Sequence, residues 1–353
     1  MAGPLRIAIV APPFYVLPPP AYGGIERVCF WLAEGLVDRG HDVTLVGAGE
    51  SPTRARFLPT FAEPKPEGSE EEATVELLHA ARAAAALATL DLDVVHDHTR
   101  AGPLTAVARP VPTLVTAHLA VAGPEQETEL YEAVGRLASL VAISAAQRRA
   151  APHLNWAGTV ANGIPVGEYP FVAEKDDFVL YLGRMSAQKG VHLAIAAARE
   201  AGRRLIVAGA WTTPSERAYF ERDVRPRIDE GVQWVGEVSG ARRTELLSRA
   251  GCVLFPARWE EPFGLVLAEA SACGTPVVAL RAGAVPEIVA DGETGFVCES
   301  PSELTAAIHA ATALDPFRCR ARAAARFAVE RMVEGYEVIY RRLAQAGWNR
   351  PRI

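Results

Sequence analysis

Short apolar runs alternate with helix-length segments along nearly the whole chain. Apolar runs of strand length, bounded by turn residues, are typical of strands buried on both faces of a parallel sheet. Their alternation with helices favours the α/β class. The predicted strands are Leu5–Ala11, His41–Gly47, Asp93–His98, Val111–Thr116, Leu137–Ser144, Thr159–Ala161, Phe178–Leu182, Arg204–Gly209, Val232–Gly236, Val253–Pro256 and Val277–Leu280.

Helices are predicted where apolar residues recur with helical spacing and a glycine or proline marks an end. Pro52–Glu72 is rich in proline and glutamate and lacks periodicity, so it is predicted to be a surface loop. The predicted helices are Ile25–Arg39, Ala73–Leu90, Val191–Ala201, Arg242–Arg249, Phe263–Cys273, Ser302–Ala313, Pro316–Arg326 and Met332–Gly347.

The strand–helix pattern occurs in two similar halves. A chain of 353 residues suggests two domains at about 150 residues per domain. The composition changes at Val166–Asp177, which contains a proline and a charged cluster, and the linker is predicted there. Two doubly wound α/β domains follow from these observations.

The stretch Phe255–Val297 carries the most specific pattern. A loop precedes the predicted helix. The N–H groups at the N-terminus of the helix, together with the positive end of the helix dipole, form a site for an anion. Glu261 and Glu269 bracket this helix start with seven residues between them. Carboxylates beside an anion site are suited to holding hydroxyl groups, so a sugar nucleotide fits both features. The alternative is a surface helix with incidental glutamates.

The string EEPFGLVLAE, followed by ACGTPVV, GAVPEIV and DGETGFV, resembles the signature of family 4 glycosyltransferases. The resemblance implies the GT-B fold, in which two Rossmann-like doubly wound domains face each other across a cleft. It also implies that the final helix returns to the first domain. The expected domains are 1–168 with a C-terminal helix at about 333–353, on the acceptor side, and 169–332, which binds the donor.

Two further loops carry candidate phosphate contacts. The loop that ends in Gly190 holds Arg184 and Lys189, whose guanidinium and ammonium groups can neutralise a diphosphate beside a helix N-terminus. The alternative is a solvated basic loop. Gly23 and Gly24 precede the first helix without the G-x-G-x-x-G spacing, so a nicotinamide cofactor is not predicted. In the family, this glycine pair faces the donor's diphosphate.

Histidines stand at predicted strand ends, where ligands bind in parallel sheets. His118 is the favoured candidate, with a structural hydrogen-bonding role as the alternative, and His96 and His98 are weaker candidates. The family commonly has a histidine at the position of His118, close to the transferred sugar. Pro165 stands where the family's N-G-[IV]-D segment usually has an aspartate, so no role is assigned there.

The resemblance implies further roles for residues of the second domain. Glu269 is expected to accept hydrogen bonds from ribose, and Glu261 from a sugar hydroxyl, with a nucleophilic role for Glu261 as the less favoured alternative. The remaining donor contacts implied by the resemblance are the backbone of Gly236, Glu237 and Val238 at the nucleobase and the N–H groups of Phe263, Gly264 and Leu265 at the diphosphate.

The composition limits the kinds of partner that the protein is expected to bind. The net charge of −6 gives no argument for nucleic acid. From residue 315 to the end, nine arginines face one aspartate and three glutamates, a balance of +5. A solvated helical tail is the favoured interpretation, and weak contact with anionic lipid is the alternative. Five scattered cysteines indicate neither disulfides nor a zinc site.

Fixed cations and N–H donors at the diphosphate can stabilise the leaving group without a metal, so no metal cofactor is predicted. No signal peptide or membrane-spanning run is found, so a cytoplasmic protein is expected, with peripheral contact at the inner membrane face as an alternative. The acceptor, a saccharide, lipid or natural-product hydroxyl, and the oligomeric state are not specified by the sequence.

The sequence therefore predicts a retaining, metal-independent hexosyltransferase that uses a UDP- or GDP-sugar. Alternatives on the same fold are a disaccharide phosphorylase or synthase and a sugar-nucleotide epimerase. A non-catalytic protein that binds sugar nucleotides is a third possibility.

Overall fold

The computed structural model describes residues 3–122 and 125–346. The chain forms two compact units, Met1–Gly163 with Val329–Ile353 and Ile164–Ala328. Of the predicted C-terminal helix at about 333–353, residues 347–353 lie outside the described residues. Within the described residues, no helix combines the length and apolar character that a membrane crossing requires.

Parallel strands build one sheet in each unit. Over the described residues, the first sheet has the order β3-β2-β1-β4-β5-β6-β7 and the second has the order β10-β9-β8-β11-β12-β13. Both orders reverse direction beside their first strand, as doubly wound sheets do. The strands are β1 Arg6–Val10, β2 Asp42–Ala48, β3 Arg56–Phe61, β4 Val94–Asp97, β5 Thr113–Ala117, β6 Ser139–Ala142, β7 Trp156–Thr159, β8 Phe178–Leu182, β9 Arg204–Ala208, β10 Val232–Trp234, β11 Cys252–Phe255, β12 Val277–Leu280 and β13 Gly295–Cys298.

Helices cover the sheets, and the strands between them are almost wholly apolar and buried, as β1 and β11 are. The helices are α1 Gly24–Asp38, α2 Glu72–Leu87, α3 Glu125–Leu137, α4 Ala145–Ala150, α5 Val191–Glu200, α6 Pro214–Tyr219, α7 Gly240–Arg249, α8 Leu265–Ala272, α9 Val285–Ile288, α10 Leu304–Ala311, α11 Pro316–Arg326 and α12 Val329–Ala346.

The prediction of a loop throughout Pro52–Glu72 is wrong, because this segment contains β3. The strand lies at the sheet edge and pairs only with β2 among the described strands. Its partly exposed residues and Pro59 conceal the alternation expected of a strand, and an edge position is where a strand tolerates proline.

Helix α12 packs within the first unit. Its apolar face includes Val333, Tyr336 and Tyr340, all buried. Val333 contacts α1 at Gly35, where any side chain would collide with it. Arg39 Nε donates to Glu337 Oε2 at 2.6 Å at the rim of this contact. The C-terminal helix is therefore part of the first unit's core.

The basic segment after residue 315 is less solvated than predicted. Arg320 of α11 donates to the carbonyls of Tyr169 and Ala272, and Arg322 donates to those of Ile288 and Glu287. These guanidinium groups satisfy backbone acceptors of the second unit, so the prediction of a wholly solvated tail is wrong for them.

Candidate active site

Two loops leave the centre of the second unit's sheet at the same edge. Strands β8 and β11 are parallel neighbours, and the strand order reverses between them. The loop after β8 carries Arg184, Lys189 and Gly190, and the loop after β11 leads to Glu261 and Gly264. The carboxyl edge at such a reversal is where ligands bind in open α/β sheets.

Three contacts join these loops. Lys189 Nζ lies 2.6 Å from Glu261 Oε2. The N–H of Arg258 donates to the carbonyl of Gln188 at 2.8 Å. Gly190 has a φ of 74°, and a Cβ there would collide with the carbonyl of Pro256. The two loops, which the sequence predicts at one site, are thus in direct contact.

The ammonium group of Lys189 is held in place from several sides. It lies 4.6 Å from the centre of the Trp259 ring and 5.6 Å from that of Phe255. Trp259 Nε1 also donates to Glu261 Oε2 at 2.9 Å. Glu261 is 7% exposed, so its carboxylate has a fixed position at the rim of the site.

Arg184, on the same loop as Lys189, has a carboxylate neighbour. Its Nη1 lies 3.5 Å from Glu216 Oε1 at the start of α6. The other oxygen of Glu216 accepts from the N–H of Thr212 at 2.8 Å, which fixes the glutamate at the helix N-terminus. Glu216 therefore holds a cation that the sequence assigns to the diphosphate.

Helix α8 begins at the mouth of the second loop. Gly264 precedes it with a left-handed φ of 86°, so the helix starts two residues later than Phe263, where it was predicted to start. The N–H groups of the first helical turn lack intrahelical acceptors and can bind an anion. Phe263 is buried against Phe327, whereas Gly264 and Leu265 are partly exposed.

The segment at residues 283–284 supports this mouth from behind. The N–H of Ala284 donates to the carbonyl of Glu261 at 2.8 Å, and that of Gly283 donates to Glu260 Oε2 at 3.0 Å. A Cβ at Gly283 would collide with the backbone of Glu261. The GAVPEIV part of the signature thus fixes the shape of the loop that carries Glu261.

Glu269 lies on α8 and is fully buried. Its Oε1 accepts from the hydroxyl of Tyr169 at 2.9 Å, and its Oε2 accepts from Arg243 Nη2. Burial opposes the charged form of Arg243, but the Glu269 carboxylate outweighs it and raises the pKa of the guanidinium. In this structure, the glutamate expected at the ribose is part of an ionised, protein-internal contact.

The predicted nucleobase loop lies beside the end of β9. Gly236 has a φ of 74°, and its carbonyl accepts from the N–H of Gly209 at 2.7 Å. Glu237 is exposed and Val238 is partly exposed. A ligand could meet the backbone of this loop, as the resemblance implies.

In the first unit, Gly23 has a φ of 121° and directly precedes α1, with Gly24 as its first residue. A Cβ at Gly23 would lie 2.8 Å from the ring of Pro19, so the tight approach of this loop requires glycine. The pair therefore gives the backbone conformation expected at a helix N-terminus that meets a phosphate.

The strand-end histidines of the first unit form a cluster. His118 Nε2 lies 2.8 Å from His98 Nδ1, and the ring centres of His98 and His96 are 4.0 Å apart. Burial lowers the pKa of all three imidazoles, that of His118 to about 3, so the rings are neutral at neutral pH. Within residues 3–122 and 125–346, no group of three or more His, Cys, Asp or Glu side chains could hold a metal ion.

Sequence reasoning did not assign roles to Arg243, Glu216 or Trp259. A signal exists for Arg243, because it lies in the first turn of α7, where the helix dipole disfavours a cation that lacks an acidic partner. Glu216 and Trp259 had no comparable signal, since each gains its contact from a different loop in the fold.

Two doubly wound parallel sheets, the second with the loops after β8 and β11 joined at its carboxyl edge, define an α/β protein of the GT-B class. Comparison with known families agrees: residues 22–164 match the model for Glycosyltransferase Family 4, and residues 170–326 match the model for Glycosyl transferases group 1. The chain belongs to glycosyltransferase family 4 and is a glycosyltransferase of the type that uses nucleotide sugars.

Two curated relatives are named as enzymes that synthesise saccharides. Glycogen synthase of Mycobacterium tuberculosis is 29% identical, with 83% of this chain and 82% of the relative covered. Alpha-maltose-1-phosphate synthase of Mycolicibacterium smegmatis is 33% identical, with 64% and 71% covered.

Solved structures of similar proteins show the same fold. AviGT4, a glycosyltransferase involved in avilamycin A biosynthesis, is 28% identical with a TM-score of 0.76, over 98% of this chain and 99% of that chain. Anabaena HepE in complex with UDP-glucose has a TM-score of 0.73 at 19% identity, over 97% and 99% of the two chains. The second likeness shows the fold alone.

Proposed function

We propose that this glycosyltransferase moves a hexose-type sugar from a UDP- or GDP-sugar to an acceptor hydroxyl, with retention of anomeric configuration and without a metal ion. The contact between Lys189 and Glu261 carries the proposal. It places a cation suited to the diphosphate and a carboxylate suited to the sugar within one hydrogen bond of each other, next to the N-terminus of α8.

The diphosphate would bind Lys189, Arg184 and the N–H groups of residues 263–265. When the bond to the sugar breaks, negative charge grows on the departing nucleoside diphosphate. Fixed cations and N–H donors aimed at this charge stabilise the transition state, and one such donor contributes roughly 3 kcal/mol. The protein's own groups can thus perform the task that a divalent cation performs elsewhere, and chelator-resistant turnover is expected.

Glu261 is assigned to a hydroxyl of the transferred sugar, and His118 of the first unit is also assigned to the sugar. Gly23 and Gly24 are assigned to the phosphate, and residues 236–238 to the nucleobase. Glu269 is assigned to the ribose, and its carboxylate, which has about four lone-pair sites, can accept from a ribose hydroxyl in addition to Tyr169 and Arg243.

Retention is the stereochemical outcome expected of family 4. We favour attack on the face from which the diphosphate leaves. The C1–O bond to phosphate breaks, the C1–O bond to the acceptor forms, and the acceptor's proton passes to a phosphate oxygen. Glu261 is less suited to act as a nucleophile, because hydrogen bonds from Lys189 and Trp259 stabilise its charge in the ground state.

The relatives support a saccharide or natural-product acceptor. Two are named as synthases of glycogen and of maltose 1-phosphate, and AviGT4 is involved in making avilamycin A. Both synthases are named for products that contain glucose, so glucosyl donors are the first to test.

The function is tested by incubating the protein with UDP-, GDP- and ADP-hexoses and a set of sugar, sugar phosphate and aglycone acceptors. Mass spectrometry scores products, and NMR scores the anomer. Nucleotide release with an α-linked product from an α-linked donor, unaffected by a chelator, supports the proposal. Phosphate-dependent release of a sugar phosphate would indicate a phosphorylase instead, and an isomerised donor an epimerase. Binding without turnover of any combination would indicate a non-catalytic protein.

A further inference from the structure

The hydrogen bond between His98 and His118 has a direction that the surroundings of His98 determine. His98 is 4% exposed, and its Nδ1 lies 2.8 Å from His118 Nε2. Its other ring nitrogen, Nε2, is buried and has no hydrogen-bond partner. Both rings are neutral, since burial lowers the pKa of each. One proton therefore lies between the two facing nitrogens.

Two arrangements of that proton are possible. If His118 donates, the proton of His98 must reside on Nε2, which leaves a buried N–H without an acceptor. If His98 donates, its Nε2 carries only a lone pair. Buried N–H groups without acceptors are rare in folded proteins and cost about 1–3 kcal/mol. The second arrangement is therefore favoured.

We propose that His98 is a positioning residue, which donates from Nδ1 to His118 Nε2 and so leaves His118 with an Nδ1–H that donates to an oxygen of the substrate. The part of this inference that concerns substrate rests on the proposed function. The tautomer itself is a property of the ligand-free protein.

The ring of His98 is in turn supported by the network below it. His96 lies against it, and both ring nitrogens of His96 are occupied, by the hydroxyl of Tyr340 at 2.6 Å and by Thr116 Oγ1 at 2.7 Å. The hydroxyl of Tyr336 lies 2.8 Å from the same Thr116 oxygen. Helix α12 thus anchors His96, against which His98 packs.

The tautomer is measured by long-range proton–nitrogen NMR on the full chain with 15N-labelled histidine, and the His118 signals are assigned by their loss in His118→Gln. The two ring nitrogens of a neutral imidazole differ widely in chemical shift. A protonated Nδ1 and an unprotonated Nε2 in His118 are expected. A protonated Nε2 in the wild type overturns the proposal, and no variant of His98 is needed for this result.

Variants connect the tautomer to turnover. His98→Leu removes the donor, so His118 is expected to take up the Nε2–H form, with kcat lower by about tenfold and donor KM within about twofold. His98→Asn keeps an N–H near the position of Nδ1 and is expected to restore most of kcat. The control is His79→Leu, which removes another buried histidine of the first unit, one that is hydrogen-bonded to Thr60 at 2.7 Å. This variant is expected to change neither kcat nor the donor KM.

Unchanged turnover and tautomer in His98→Leu would overturn the positioning role. If no nucleotide sugar is turned over by the wild type, the proposed function fails together with the substrate part of the inference. The tautomer in the ligand-free protein would still decide what His98 does to His118.

Discussion

Lys189 Nζ and Glu261 Oε2 are 2.6 Å apart, although 72 residues separate them in the chain. The contact exists because each residue lies on a loop that follows one of two neighbouring central strands. Both side chains are largely withdrawn from solvent. A diphosphate that binds Lys189 must therefore share it with a carboxylate, and this competition leads to the first prediction.

Glu261→Gln should separate nucleotide binding from transfer. The amide keeps the shape of the side chain but not its charge, so Lys189 becomes more available to phosphate and the affinity for the nucleoside diphosphate should rise about threefold. Turnover should fall at least tenfold, because the acceptor for the sugar hydroxyl is weakened. Calorimetry and initial rates measure the two effects. Glu230→Gln, at an exposed glutamate of the same unit with no assigned role, is the control and should change neither effect, and full turnover in Glu261→Gln would refute the role of Glu261.

Glu216→Gln should strengthen diphosphate binding by releasing Arg184. The pair is partly exposed, so its contribution is below about 1 kcal/mol and the gain in affinity should not exceed about fivefold. The amide oxygen can still accept from Thr212, so the helix start is preserved. Glu221→Gln breaks a different pair in the same unit, with Arg225, and should leave affinity unchanged. A loss of affinity in Glu216→Gln would show that the glutamate instead orients Arg184 for the ligand.

Gly190→Ala should destabilise the second unit more than its backbone angle alone explains. Gly292 has nearly the same φ, 72° against 74°, but no atom lies within 4 Å of where its Cβ would be. Gly292→Ala should therefore cost about 1 kcal/mol for the left-handed conformation. Gly190→Ala adds a collision with the Pro256 carbonyl and should cost at least about 2 kcal/mol more. Urea unfolding measures both variants, and equal losses would contradict the predicted contact between the loops.

Glu26→Gln should stabilise the protein in alkaline solution. Burial raises the pKa of Glu26 from 4.5 to about 8. Between these pH values, the folded state retains a proton that the unfolded state has lost, so wild-type stability falls as pH rises through this window. The variant has no such loss. Each pKa unit corresponds to about 1.4 kcal/mol, so an advantage of several kcal/mol is expected above pH 8 and little advantage below pH 4.5.

The control for this prediction is Glu34→Gln. Burial opposes the charge of Glu34, but hydrogen bonds from Thr53 and Arg54 lower its pKa overall. Its charged form thus stabilises the fold at neutral pH, and the amide should reduce stability there. Unfolding curves across the pH range distinguish the variants, and a pH-independent difference between Glu26→Gln and wild type would refute the raised pKa.

The sequence was sufficient to predict the parallel α/β architecture and the proximity of the loops that carry Lys189 and Glu261. Buried parallel strands have a strong apolar signal, and the topology brings loops that follow neighbouring strands to one edge. The edge strand β3 was missed because exposure and Pro59 remove that signal. Helix α3, which the sequence pattern did not predict, follows the strand-end histidines of the first unit.

The sequence pattern could not predict contacts between side chains from distant segments of the chain. Glu269 was assigned to a ligand by resemblance, and nothing in its helix indicated that Arg243 and Tyr169 would occupy its oxygens. Nothing in the strand pattern indicates that His98 and His118 are hydrogen-bonded to each other. Such details depend on register, which the apolar pattern determines only to within a residue or two.

Titration calorimetry of UDP, GDP and ADP into the wild type, Lys189→Ala and Lys65→Ala tests the central claim most directly. Lys65 is a lysine of the first unit that lies over Phe61 and has no proposed role at the donor. The comparison uses the nucleoside diphosphate with the highest affinity for the wild type. We expect Lys189→Ala to bind it at least about tenfold more weakly than the wild type does, and Lys65→Ala to bind it equally well. Undiminished binding by Lys189→Ala would contradict a diphosphate site at this lysine.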